Sequence, residues 1–154
     1  MTTLTYTADA FATGDGRAGH VRSDDGLIDL DLGIPEGLGG AGGNVSNPEQ
    51  LFAAGYAACF LSALNSVSRV QRVKLRDAQV EAKVTISGGS AGFDLSVELV
   101  VSAPDVSPET GKLLLEAAHK KCPYSKAVTG NIPVMLFWSA EANAERAAAL
   151  ASEV

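Results

Sequence analysis

Along this chain, stretches in which apolar and polar residues alternate are separated by two longer stretches of helical character. Residues 2–7, TTLTYT, are rich in threonine and are expected to form a short strand. In GHVRSDDGLIDLDL two extended runs flank Asp25-Gly26, a turn pair whose residues both tolerate positive φ. The run from Leu27 to Leu32 alternates as a strand with one wet face does. GIPEGLGGAGGN then supplies a flexible glycine-rich loop. Further on, AQVEAKVTIS and FDLSVELVVS, split by GGSAG, predict a β-hairpin, and IPVMLFW predicts a last, buried strand.

The first helical stretch opens at Asn47-Pro48-Glu49-Gln50. Asn47 can cap free backbone N–H groups, Pro48 suits the first helical position, and Gln50 can complete a capping box. Glu49 adds a favourable charge at the positive end of the helix dipole. From Leu51 to about Val70 the helix has almost no polar face, so it is expected to be central and wrapped by other structure. Ser107-Pro108-Glu109 starts a second helix that runs to Cys122, where Pro123 forces a bend or a new turn. Strands, helix, hairpin, helix and strand in that order argue an α+β fold with antiparallel sheet. Length fits a single domain, residues 1–154, with the alanine-rich segment 139–154 as a loosely attached terminal helix.

Composition narrows the function classes. Hydrophobic residues make up 46% and charged residues 19%, as in a globular protein, and the formal net charge is −6. With acidic and basic residues interspersed and no basic run, nucleic acid is not an expected partner. No signal peptide and no apolar run of membrane-spanning length is apparent, so no membrane is expected and the cytoplasm is the expected compartment. There thiols are normally reduced, and the two cysteines are not expected to form a static staple. His20 and His119 complete no recognisable metal-ligand pattern with them, so no metal and no other cofactor is expected.

Cys59 lies in NPEQLFAAGYAACF, and two readings of it stand open. Position alone favours an inert core cysteine. A reactive thiolate in mid-helix gains nothing from a helix N-terminus and needs a cation brought from elsewhere, for which Arg17, in GDGRAGH, and Arg22 are candidates. Cys122 follows Lys120 and Lys121 at a helix end; the dipole disfavours its thiolate and the lysines favour it, and the plain reading is a half-exposed cysteine without a role. His119 reads as an ordinary helix-end residue and His20 as a strand residue. Glu49 is explained by helix-start electrostatics alone. To act beside Cys59 it would have to cross about 15 Å of straight helix. Convergence of Glu49, Arg17 and Cys59 therefore requires an interrupted helix or a partner chain, which argues for a homodimer with sites at the interface.

NPEQLFAAGYAACF, followed later by AAHKKCPYSKA, closely resembles the organic hydroperoxide resistance (Ohr) proteins of the OsmC/Ohr family, and RAGHVRSDDG is similar to the family's N-terminal part. The resemblance runs from about Leu4 to Trp138. It implies the OsmC/Ohr-like fold, with antiparallel sheets around a central buried helix in an intertwined homodimer. It implies a thiol-dependent peroxidase in which Cys59 matches the peroxidatic cysteine and Cys122 the resolving one. Arg17 matches the arginine that stabilises the thiolate, and Glu49 the acid that positions it. Cys59 sulfenic acid would condense with Cys122, and a lipoyl-type dithiol, on a lipoylated protein or as dihydrolipoamide, would reduce the disulfide. Leu51, Phe52 and Phe60 would line an apolar pocket for alkyl or lipid hydroperoxides, with plain core packing as their other role. An OsmC-type peroxidase of wider range and a non-enzymatic redox sensor or binding module are the alternatives.

Overall fold

Strand propensity becomes a strand only where a neighbouring backbone supplies hydrogen bonds, and this decides how the N-terminal part folds. In the computed structural model, which describes residues 2–139, residues 2–9 form no strand, contrary to the reading of TTLTYT. Leu4 and Tyr6 are exposed, and among the described residues no strand pairs with this segment. The expected terminal helix lies outside the described residues beyond Ser139. The chain divides into two units, one ending at Leu51 and the other beginning at Phe52.

The first unit is an antiparallel meander of β1 (Ala10–Thr13), β2 (His20–Ser23) and β3 (Asp29–Asp31). Short 3₁₀ turns occupy Gly16–Ala18 and Glu36–Leu38. The β2–β3 turn falls at Asp25-Gly26 as expected, but only Gly26 takes a positive φ, of 71°. Asp25 contributes through its carboxylate, which accepts from Ser23 Oγ at 2.6 Å and from the Leu27 N–H at 3.0 Å. β1 and β3 are exposed along their length, and among the described residues of this unit Leu32 is the buried apolar one.

Helix α1 (Pro48–Gln71) begins in the first unit and continues through the second. Asn47 Oδ1 caps it by accepting from the Gln50 N–H at 2.9 Å. The expected capping box is replaced by a hydrogen bond from Ser46 Oγ to Gln50 Oε1. α1 is not wrapped on all sides. Tyr56, Phe60, Ala63, Leu64 and Val67 form its buried stripe, while Ala54, Ala58 and Ser62 face solvent one turn apart. α1 has 24 residues, and an 18-residue window of it has a mean hydropathy of 1.4. By length and composition alone that is long and apolar enough to cross a membrane where the sequence reading saw no such run, a test that the core helix of a soluble protein also passes. Its apolar stripe instead packs into the core of the second unit.

That core joins α1 to the sheet β4 (Gln79–Gly89), β5 (Gly92–Ser102) and β6 (Val134–Trp138), and to α2 (Pro108–Lys121). Val97, Leu99 and Val101 of β5 and Leu114, Leu115 and Ala118 of α2 share one buried cluster with the α1 stripe. Ser107 caps α2, accepting from the Thr110 N–H at 3.3 Å, and Pro123 starts α3 (Pro123–Val128). The α+β class holds, and β4–β5 is the expected antiparallel hairpin. β6 departs from the antiparallel expectation: after the crossover through α2 and α3 it returns parallel to β5. As an edge strand it is also only half-buried, with Met135 and Phe137 exposed between inward-facing neighbours. Trp138 packs against Gly111 of α2, where a Cβ would come within 2.2 Å of the indole.

Candidate active site

Pro123 cannot continue α2, and its placement fixes Cys122. Cys122 takes φ −62° and ψ 124°, closing α2 and opening α3 at once. Its N–H donates to Ala118 O at 2.8 Å and its carbonyl accepts from the Lys126 N–H at 3.0 Å. Held at both ends, the side chain is fully buried rather than half-exposed. Its thiol donates toward Cys59 Sγ at 3.5 Å, and both cysteines are free. Lys121 does not turn to the sulfurs; its ammonium donates to Ser66 Oγ at 2.6 Å.

Cys59 is half-buried on α1 and accepts from the Tyr124 backbone N–H. This N–H is free because Tyr124 stands in the first turn of α3. Sequence reading found no helix start near Cys59, yet the Cys-Pro pair that creates one was visible. Burial pushes the Cys59 thiol up, the Tyr124 N–H opposes that rise, and the neighbouring Cys122 adds to it. Phe52, Tyr56 and Tyr124 stand together with ring centroids 5.7 to 6.2 Å apart. Tyr56 and Ser125, both fully buried, share a hydrogen bond of 2.9 Å. Neither was singled out from the sequence; the signal would have been Ser125 following Pro123 by two residues, a polar side chain pinned into the core. Gly55 faces Tyr124, leaving 3.1 Å between a Cβ there and the phenol oxygen.

In the first unit, Arg17 sits in the 3₁₀ turn Gly16–Ala18, between glycines at positive φ (Gly14, Gly16) and Gly19. Its guanidinium binds Glu49 through both nitrogens, Nη1 to Oε2 at 2.9 Å and Nη2 to Oε1 at 2.6 Å. Arg17 is 41% exposed and Glu49 12%. The guanidinium, outweighing partial burial, holds the Glu49 carboxyl below its ordinary value, and Glu49 raises Arg17 in turn. Arg22, the other candidate cation, lies 3.6 Å from Asp29 instead. His20 is in β2 as expected, but its ring is clamped between Asp31 at 2.8 Å and Asp29 at 2.9 Å, which raises its pKa. His119 is half-buried with Nδ1 unpartnered, and burial lowers its pKa.

The sequence candidates thus come together as two pairs, Cys59 with Cys122 and Arg17 with Glu49. α1 is unbroken from Pro48 to Gln71, so the helical separation of Glu49 from Cys59 stands. Of the apolar candidates, Leu51 and Phe52 are half-buried, whereas Phe60 is wholly enclosed in the core, where it packs and offers no surface. Among the described residues, no group of three His, Cys, Asp or Glu side chains is placed to hold a metal.

Residues 41–137 match the family described as OsmC-like protein. The chain is 46% identical over 132 residues to an organic hydroperoxide resistance protein of Xanthomonas axonopodis pv. citri, spanning 85% of this chain and 92% of that one. Among solved structures, the organic hydroperoxide resistance protein OhrB of Bacillus subtilis superposes with a TM-score of 0.80 at 45% identity, covering 87% of this chain and 98% of its own. An organic hydroperoxide resistance protein of Elizabethkingia anophelis, crystallised with thiocyanate bound, gives 0.81 at 50% identity, covering 90% and 99%.

Proposed function

This chain belongs to the OsmC family, in its organic hydroperoxide resistance branch, and from that premise we propose that it is a thiol-dependent peroxidase reducing alkyl or lipid hydroperoxides to alcohols. The observation that carries this reading is the pair of free thiols 3.5 Å apart, sulfur to sulfur. The Cys59 thiolate attacks the distal peroxide oxygen; an S–O bond forms, the O–O bond breaks, and the alkoxide leaves as alcohol on taking a proton. The Cys122 sulfur then attacks the sulfenic acid, forming the disulfide and releasing the hydroxyl as water with the thiol's proton. An external dithiol of the lipoyl type, free or carried on a protein, restores both thiols through a mixed disulfide and departs as its own cyclic disulfide.

Burial disfavours the Cys59 thiolate, so the mechanism needs a cation. We assign that task to Arg17, with Glu49 as its positioning residue; the two-point fork between them supports this, because it fixes the plane of the guanidinium. Leu51 and Phe52 are assigned to the substrate's apolar chain, with Phe60 as packing behind them. The whole chain, 1–154, acts as one domain, and the working form is an intertwined homodimer in the cytoplasm. Support for the dimer comes from the solvent-facing Ala54 and Ala58 of α1 and from the exposed Leu4, Tyr6 and Phe11.

The test is consumption of tert-butyl hydroperoxide with dihydrolipoamide as reductant. Native protein should turn over, Cys59→Ser should be inactive, and Cys122→Ser should form sulfenic acid once without cycling. Disulfide formation without sustained turnover would identify a redox sensor instead. Equal efficiency with hydrogen peroxide would favour the broader OsmC-type peroxidase.

A further inference from the structure

The segment RVQRVKLRD, at the end of α1 and before β4, carries Arg69, Arg72, Lys74 and Arg76. These are four of the twelve Lys and Arg in a chain of net charge −6. The sequence shows no basic run because uncharged residues separate the four, but the fold gathers them around one cavity of about 630 Å³. Val73 and Leu75 also line it; both are half-buried and pack against the core, so the cationic rim has an apolar base. Arg76 lies 3.7 Å from Asp105. Arg69 donates to Asn65 O, and among the described residues Arg69, Arg72 and Lys74 have no carboxylate partner. Arg72 holds φ 58°, a left-handed conformation that glycine usually takes at a helix end.

Asn65, Ser68 and Arg69 line the cavity from α1. At about 100° per residue they lie roughly 80–180° around the helix from Cys59 and about two to three turns further on. The cavity therefore opens on a different face of α1 from the thiols.

We propose that this cavity is a second binding site, for an amphipathic carboxylate: a fatty-acid-type anion whose head meets Arg72 and Lys74 and whose chain lies on Val73 and Leu75. Its volume falls within the usual range of roughly 300–1,000 Å³ for small-molecule sites. A bare anion would leave the apolar base uncovered, and a neutral chain would leave the cations uncompensated. The inference does not depend on the peroxidase reading.

The test is calorimetric titration of the full chain with sodium decanoate, with decan-1-ol and inorganic phosphate as comparison probes. Decanoate should bind, and added sodium chloride should weaken it. Arg72→Asn with Lys74→Gln should weaken decanoate about tenfold, as loss of two exposed ion pairs implies. Asn is chosen because it tolerates the left-handed backbone. Lys112→Gln, on the exposed side of α2, should leave binding unchanged. The proposal is overturned if decan-1-ol or phosphate binds as tightly as decanoate, if native binding is indifferent to salt, or if the double variant, melting like the native protein, binds decanoate within twofold of it.

Discussion

In the first unit Arg17 and Glu49 meet at 2.6 and 2.9 Å beside a sheet whose outer strands are exposed, whereas in the second Cys59 and Cys122 are brought together by apolar packing. The first arrangement is held by charge and is open to water, salt and pH. The second is held by volume, through Phe60, Leu64, Val97, Leu99 and Leu114, and responds to shape. Under the proposed mechanism, a cation that must answer to the charge of a thiolate suits the first kind of support. Under the same mechanism, two sulfurs that would have to reach bonding distance suit the second.

The strongest way to break this contrast is to remove an aromatic ring from each unit. Phe60→Ala should cost about 3–5 kcal/mol in urea unfolding, the range for emptying a buried aromatic site. Phe11→Ala, on the exposed β1, should stay within about 0.5 kcal/mol. A cost above about 2 kcal/mol for Phe11→Ala would show that its sheet is covered in solution, and protein-concentration dependence would identify a second copy as the cover.

Next in size is Glu49→Gln. Under the proposed mechanism it should lower kcat/KM for tert-butyl hydroperoxide by about 10- to 100-fold, as loss of a charged hydrogen-bond partner implies. Stability should change by less than about 1 kcal/mol, because the pair is partly exposed. A large stability loss with unchanged kinetics would make the pair structural. Its pH dependence has a definite sign. Glu49 is held below its ordinary 4.5, so the contribution of the pair is present above that value and disappears as pH falls through the lower folded value. Thermal melts from pH 7 down to pH 3 should lose a component in Glu49→Gln relative to native.

Gly55→Ala should be a small effect of either sign. Alanine gains about 1 kcal/mol of helix propensity, while its Cβ meets the Tyr124 phenol oxygen at 3.1 Å and displaces the ring. A change of more than about 2 kcal/mol would show that Tyr124 is fixed more rigidly than its 40% exposure implies. The smallest effect concerns His20, whose pKa is raised first by Asp31 and then by Asp29. Its contribution is complete below 6.5 and is lost as pH rises through the higher folded value. An NMR titration should place His20 above 6.5; a midpoint at or below that value would dissolve the clamp.

Much of this was legible where local chemistry and tertiary structure agree. Asn47-Pro48 marks the start of α1, Ser107-Pro108 the start of α2, and the alternation of 79–102 the central hairpin. Where a distant partner decides, the sequence is silent. Among the described residues the threonines at 2–7 have no pairing strand, and β6 is parallel because of the route taken through α2 and α3. The burial of Cys122 was hidden by Lys120 and Lys121, which describe the helix surface on one side while Pro123 turns the next residue inward. The pairing of Arg17 with Glu49 followed from resemblance and not from spacing, since 32 residues separate them.

The seating of Cys122 between two helices bears on how an oxidised form would be repaired. Sulfurs 3.5 Å apart need close by only about 1.5 Å to reach the roughly 2.05 Å of a disulfide, so under the proposed mechanism oxidation would ask for a small local movement. Oxidised and reduced protein would then look nearly alike from outside, and a reductant could not select its target by shape. Under the proposed mechanism it would select by order of arrival: Cys59 is half-open to solvent and Cys122 is sealed, so an incoming dithiol would meet the sulfur of Cys59 and expel that of Cys122.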